Sequence, residues 1–127
     1  MKVLLLIALL TGVLPAAAQD VKEKDGEMKT YYMVFLKRVH NRPVLDSAKA
    51  AEIQKAHINH LDRMAAEGKL CIAGPFMDDK EVRGICIYTT ETMDEALTLA
   101  NSDPAVKAGR LTIECRPWFG MKGSMLR

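Results

Sequence analysis

The chain lacks the residue patterns that mark most metal, nucleotide and nucleic-acid sites. It has three cysteines and no CxxC pair, which argues against a zinc or thioredoxin-type site. A P-loop, a glycine-rich dinucleotide turn and a serine nucleophile elbow are all missing. Aromatic residues make up 6% of the chain and do not alternate with a basic stripe, so nucleic acid is not an expected partner. We therefore predict no metal site and no bound cofactor.

The longest apolar run lies at the amino terminus. Lys2 precedes an apolar run over residues 3–14, and three alanines follow at 16–18, as in a secretory signal peptide with its cleavage site. The run is shorter than the roughly 20 residues of a membrane span, although an uncleaved anchor is the alternative. We expect residues 1–18 to be a signal peptide. The mature protein would then be periplasmic or secreted, with no membrane association after cleavage.

The rest of the chain is long enough for one modest core and too short for two, which predicts a single domain. Residues 19–29 are rich in charge and poor in large apolar side chains, so we expect a flexible leader there. The domain itself is predicted to span residues 30–127.

Hydrophobic periodicity and capping signals predict six main elements and one short helical turn. In chain order they are a strand over Thr30–Arg38, a helix from Asp46 or Ser47 to Glu67, strands over Lys69–Ala73 and Val82–Tyr88 that form a hairpin, a helix from Thr92 to about Asn101, a short turn opened by Asp103-Pro104, and a strand over Leu111–Arg116. This βαββαβ order predicts an α+β, ferredoxin-like fold with a four-stranded antiparallel sheet.

In that fold both helices cover the same face of the sheet. The first strand has apolar residues on both of its faces, for example Met33 on one and Val34 on the other. The uncovered face is then a large apolar patch, and such patches usually mark an interface. We expect a homodimer in which two sheets close on each other as a dimeric α/β barrel.

His57 is the main candidate for chemistry. It shares the apolar stripe of the first helix with Ile53 and Leu61, and an inward-pointing imidazole needs a hydrogen-bond partner. Asp103 is the partner we expect, because an aspartate that caps a helix has a second oxygen free to orient a ring. Such a pair could be a general acid/base, or it could be a structural tie.

A metal site and a different aspartate partner are alternatives for His57. His60 lies on the stripe of His57, so the two rings could chelate a metal, but His40 is in a loop and no third ligand has a supporting spacing. Asp78 and Asp79, at the predicted hairpin tip, could also reach the imidazole, although turn aspartates are usually solvated.

Four further residues are candidates for binding a substrate. Gly74-Pro75 ends the second strand, where backbone could approach a ligand closely, although the same pair ends ordinary strands. Arg83, like Arg116, is an isolated cation on a strand that could hold an anionic substrate or extend into solvent.

The cysteines leave two readings open. Cys71 and Cys86 would lie opposite each other if the hairpin turned near Asp78 and Asp79, and in an oxidising compartment they could form a disulfide. The alternative is that these two and Cys115 are buried apolar thiols.

Taken in order, several of these segments resemble the YCII-related domain family from about Tyr31 to Trp118. The marks are His57 in "QKAHINHLDRMAAEGKLCIAGPF", Gly74-Pro75, Asp103-Pro104, Ala108-Gly109 and Arg116-Pro117-Trp118. The resemblance implies a dimeric α/β barrel and a His-Asp dyad at the active site, which falls on His57 and Asp103. The family is similar to muconolactone isomerase and includes a dehydrochlorinase of a chlorinated hydroxyquinol.

We therefore expect an enzyme of lyase or isomerase type, in which His57 moves a proton on a small oxygenated substrate and Asp103 orients the ring. The alternative is a non-catalytic dimeric module that binds a small molecule or a protein in the periplasm. A haem or metal binder on the same scaffold is a third candidate.

Overall fold

A computed structural model describes residues 24–127 of the chain. Its elements are β1 (Met28–Arg38), α1 (Ser47–Ala66), β2 (Leu70–Pro75), β3 (Val82–Tyr88), α2 (Met93–Asn101), α3 (Pro104–Lys107) and β4 (Leu111–Met121). The four strands pair antiparallel in the order β2-β3-β1-β4. The predicted α+β, ferredoxin-like arrangement is confirmed. No helix within the described residues is long and apolar enough to cross a membrane.

Local capping explains where the two long helices begin. The Asp46 carboxylate accepts a hydrogen bond from the Lys49 backbone N–H at 2.8 Å, which fixes the first turn of α1. Thr92 does the same for α2, since its hydroxyl accepts from the Glu95 N–H at 3.2 Å. Gly68, with φ of 70°, follows the end of α1 in a conformation that favours glycine. These boundaries agree with the sequence prediction to within a residue or two.

The outer strands are longer than predicted. β1 begins at Met28, which pairs with Met121, so the end of the predicted leader belongs to the sheet. β4 continues through Pro117, which the sequence suggested as the end of the strand. Because β4 is an edge strand, a proline there removes no central ladder bond. The predicted signal peptide and residues 19–23 lie outside the described residues.

The core lies between the helices and one face of the sheet. Its buried members are Val34, Leu36, Met64, Leu70, Cys86, Tyr88, Ala96 and Ala100. Successive side chains of a strand point to opposite faces, so the neighbours Met33, Phe35, Ile85 and Ile87 lie on the other face. That face is mainly apolar at its centre, as the two-sided pattern of β1 predicts.

The predicted pairing of Cys71 with Cys86 is wrong. Cys86 lies opposite Ala73, because β2 and β3 pair about a centre between Asp79 and Lys80, one position beyond the predicted one, and the bulge between Leu70 and Ile72 comes after this pair. Cys71 falls in this bulge and is exposed, whereas Cys86 is buried and all three cysteines are free thiols. The pairing predicted from the sequence failed because moving the centre of the turn by one position changes the partner of every residue by two.

Candidate active site

His57 and Asp103 form a buried pair between α1 and α3. Nδ1 of His57 lies 2.7 Å from Oδ2 of Asp103, and the two residues are 8% and 2% exposed. The other oxygen, Oδ1, accepts the Ala105 backbone N–H at 2.8 Å and so caps α3. The expected contact is therefore present, and the aspartate both caps the helix and holds the imidazole.

A cavity of about 650 Å³ lies between α1 and the β2–β3 strands. This volume suits a small organic molecule. Apolar side chains form much of the wall, including Leu36, Ile53, Ile58, Leu61, Leu70 and Leu111. His57, Gly74, Pro75 and Arg83 also line it, so all four cavity-facing candidates from the sequence meet in one place. Asp103 lies behind His57, as expected of a residue that orients the ring.

The second ring nitrogen of His57 faces a different environment from the first. With Nδ1–H donated to Asp103, Nε2 is left with a lone pair, and no described residue hydrogen-bonds to it. His57 lines the cavity, and Nε2 is the ring nitrogen that Asp103 does not engage. A neutral imidazole fixed in this tautomer can accept a proton from a ligand.

The wall formed by β2 and β3 depends on a close approach of two backbones. A Cβ built on Gly84 would lie 2.6 Å from the carbonyl oxygen of Gly74 and 3.1 Å from Cα of Pro75. Gly84 thus has no room for a side chain, whereas a Cβ on Gly74 would meet no atom within 4 Å. This close approach joins two strands, and it differs from the approach of backbone to a ligand that the sequence suggested at Gly74, which stays a prediction.

His60 is buried one turn after His57 and is not placed as a metal ligand. Its Nδ1 lies 3.2 Å from Nη2 of Arg63, and its Nε2 is buried without a hydrogen-bond partner. Burial lowers the pKa of His60, and the charges of Arg63 and His57 lower it further, while Asp103 and the Leu99 backbone act in the opposite direction. Within residues 24–127 no three potential ligands gather around a metal position.

The remaining candidates lie away from His57. Asp79 forms ion pairs with Arg83, at 2.9 Å, and with Arg38, and Asp78 lies 3.6 Å from Lys80. Neither aspartate is the partner of the imidazole, so that alternative is wrong. The guanidinium of Arg116 lies on the open face of the sheet, 5.7 Å from the ring centre of Phe35, and does not line the cavity.

Sequence reasoning missed two arginines that line the cavity. Neither Arg42 nor Arg110 was among the candidates from the sequence, yet both border the same space as His57. Each stands just outside a regular element, and the strand order brings the two together. A signal existed in the predicted topology, because the end of β1 and the start of β4 must meet at one end of the sheet.

Fold and site together define a small ferredoxin-like domain with a histidine-carboxylate pair beside a ligand-sized cavity. The model of the YCII-related domain matches residues 30–118, and the chain belongs to this family. An uncharacterized protein of Bacillus subtilis strain 168, YjpA, is 31% identical over 62 residues, which are 49% of this chain and 71% of that protein.

The fold of this chain is similar to that of a solved structure. That structure is the 5-chloro-2-hydroxyhydroquinone dehydrochlorinase TftG from Burkholderia phenoliruptrix AC1100, in complex with 2,5-dihydroxybenzoquinone. The TM-score is 0.50 and the sequence identity 26%, over 69% of this chain and 92% of the other. That relative is a small-molecule enzyme on the same fold.

Proposed function

We propose that the protein is an enzyme of lyase or isomerase type that uses His57 as a general base on a small oxygenated, ring-shaped substrate. The observation that carries this proposal is the 2.7 Å contact between His57 and Asp103 at the wall of a ligand-sized cavity. The ring that Asp103 holds also borders a space large enough for a small organic molecule. The dehydrochlorinase activity of the similar structure supports the same class of reaction.

The proposed step transfers one proton. Nε2 of His57 takes a proton from the bound substrate, and the Asp103 carboxylate stabilises the imidazolium that forms. In a dehydrochlorination, the electron pair of the broken bond to hydrogen forms a new double bond and chloride leaves with the C–Cl pair. In an isomerisation, His57 returns the proton to another atom. Neither reaction requires an oxidant or a reductant.

The cavity favours a substrate with an apolar ring. Ile53, Leu61 and Leu70 supply apolar surface close to His57, and their burial against a ring would contribute to binding. Buried apolar surroundings also strengthen the interaction between the imidazolium and Asp103 when water is excluded. Hydroxyl and carbonyl groups on the ring would acidify the proton that His57 removes.

Chloride release from 5-chloro-2-hydroxyhydroquinone tests this function. The purified protein should release chloride faster than buffer, and His57→Gln should lower the rate by at least about 100-fold, the usual contribution of a general base. His40→Gln is the matched control, because His40 is exposed and does not line the cavity. Equal rates for wild type and His57→Gln would contradict the proposal.

We further propose that the protein works as a homodimer in the periplasm or outside the cell. The open sheet face, with Met33, Phe35 and Ile85 partly exposed at its centre, supports the dimer. The amino-terminal apolar run and its small-residue site support export. Light scattering should give twice the mass of one chain, and Met33→Glu should give a monomer. Val44→Glu, on a loop residue that is 97% exposed, should leave the mass unchanged.

A further inference from the structure

Three arginines border the cavity that holds His57. They are Arg42, Arg83 and Arg110, and each is half-buried. The same lining contains a single carboxylate among the described residues, that of the exposed Asp62 on α1. The polar part of this otherwise apolar cavity is therefore strongly positive.

The strand order gathers these arginines at one end of the sheet. Arg42 follows the carboxyl end of β1, Arg83 is at the start of β3, and Arg110 directly precedes β4. Antiparallel pairing of β1 with both β3 and β4 brings these three chain positions together. The charges of Arg110 and Arg83 accordingly contribute to lowering the pKa of Arg42, after burial as the larger cause.

Asp62 is too far along α1 to neutralise this end. The segment that contains Arg42 leads into the start of α1, where Ala50 borders the cavity. Asp62 is twelve residues further on, which is about 18 Å along a helix axis. His57 lies between them, about 10 Å beyond Ala50 by the same measure.

Arg42 and Arg110 have no carboxylate partner. Nη1 of Arg42 donates to the Arg110 backbone carbonyl at 2.8 Å, and Nη1 of Arg110 donates to that of Pro43 at 2.6 Å. Among residues 24–127 neither side chain is in an ion pair, in contrast to Arg83, which is held by Asp79 at 2.9 Å. A guanidinium has five N–H donors, so each of these arginines keeps several donors for a ligand.

We propose that the substrate of this site is an organic anion whose carboxylate is bound by Arg42 and Arg110, with its ring held between them and His57. This inference rests on the proposed function and adds the charge of the substrate to it. Planar guanidinium groups match the geometry of a carboxylate. The apolar wall between the arginines and His57 favours an organic ring over a bare inorganic anion.

Calorimetric titration with two matched probes tests the proposal. 2,5-Dihydroxybenzoate and 2,5-dihydroxybenzamide share one ring and differ in the charge of one substituent. The wild-type chain should bind the benzoate about tenfold or more tightly than the amide, as expected for hydrogen bonds to a charged group. This preference should weaken with added salt, because the site is open to solvent ions.

Matched variants assign the preference to the two arginines. Arg42→Gln and Arg110→Gln should each remove most of the preference for the benzoate, while Arg42→Lys should keep part of it. Lys55→Gln is the control for lost charge, because Lys55 is exposed on α1 and does not line the cavity. Circular dichroism checks that each variant is folded. If Arg42→Gln does not fold, Arg110→Gln and Arg42→Lys together still test the proposal.

Any of four results would overturn the proposal, and the first three are equal affinity for the two probes, binding of neither, and a preference that survives Arg42→Gln and Arg110→Gln. Inorganic phosphate is the third probe, and phosphate affinity equal to that of the benzoate would also overturn it. The titrations involve no turnover, so His57→Gln should retain the preference for the benzoate. If the proton-transfer function fails its test, the preference for the benzoate is unaffected. If the preference is absent, the test of proton transfer by His57 is likewise unaffected.

Discussion

Asp103 holds His57 with one carboxylate oxygen and caps α3 with the other. Oδ2 lies 2.7 Å from Nδ1 of the imidazole, and Oδ1 accepts the Ala105 N–H at 2.8 Å. The capping bond fixes the carboxylate on α3, so the start of that helix determines where the second oxygen points. A residue that would be explained fully by helix capping thus also sets the tautomer of the ring at the cavity.

The two roles of Asp103 can be separated by substitution. Asparagine caps a helix about as well as aspartate, so Asp103→Asn should keep the cap of α3 while it removes the charge beside His57. Asp103→Ala should lower the free energy of unfolding by about 1 kcal/mol more than Asp103→Asn, because the cap is also lost. Urea unfolding measures the difference. Equal stability of the two variants would show that the cap is energetically unimportant.

His60 should make the protein sensitive to mild acid. Its pKa in the folded protein is lowered from the ordinary value of 6.5, so the unfolded chain binds more protons than the folded one just below that pH. The stability that neutral His60 contributes is complete above about pH 6.5 and is lost as the pH falls from there through the folded-state pKa. The free energy of unfolding should therefore decrease as the pH is lowered from about 7.5 to about 5.

Substitution assigns this acid sensitivity to one residue. His60→Leu removes the titrating ring from its buried position between His57, Arg63 and Asp103, and should flatten the pH dependence. His40→Gln should retain the wild-type dependence, because His40 is exposed. A wild-type profile in His60→Leu would mean that another group causes the effect. The lowered pKa values of Asp79, Glu95 and Glu114 act only at lower pH.

The two cavity glycines should respond differently to the same change. A methyl group on Gly84 meets the backbone of Gly74 and Pro75, so Gly84→Ala should destabilise by about 1–3 kcal/mol through overpacking. Gly74→Ala has open space and should change stability by no more than about 0.5 kcal/mol. Thermal unfolding of the pair provides the comparison. A larger loss for Gly74→Ala would contradict the strand pairing described above.

The register of the hairpin predicts the reactivity of its thiols. Burial raises the pKa of Cys86 to about 12, whereas Cys71 is exposed and its pKa is raised less strongly. Cys71 should react first with iodoacetamide, and Cys86 only on unfolding, because the thiolate is the reacting form. Mass spectrometry of tryptic peptides follows both. A Cys71–Cys86 disulfide in protein purified without reductant would contradict the register.

Periodicity and capping signals were enough to predict the fold and the central pair. The stripe around His57 and the Asp103-Pro104 helix start are local patterns, and each is fixed by a few neighbouring residues. The cysteine register was not predicted correctly in this way, because it depends on which residues form the centre of the turn between β2 and β3. The same holds for the length of β4, where an edge position tolerates Pro117.

The positive charge of the site depended on tertiary structure for a similar reason. Arg42, Arg83 and Arg110 are far apart in the chain and belong to no common motif. Only the antiparallel order of the sheet places them at the same end of the cavity. Sequence reasoning chose Arg83 because it lies within a strand, and it overlooked the two arginines that stand just outside one.

Deuterium exchange into 2,5-dihydroxybenzoquinone tests the central claim most directly, since it reports proton transfer at carbon without requiring a complete reaction. In D₂O the wild-type protein should accelerate the loss of the ring proton signal in NMR spectra. His57→Gln should slow the catalysed exchange by at least about 100-fold, and His40→Gln should not. Equal exchange rates for wild type and His57→Gln would contradict the assignment of His57 as the group that moves the proton.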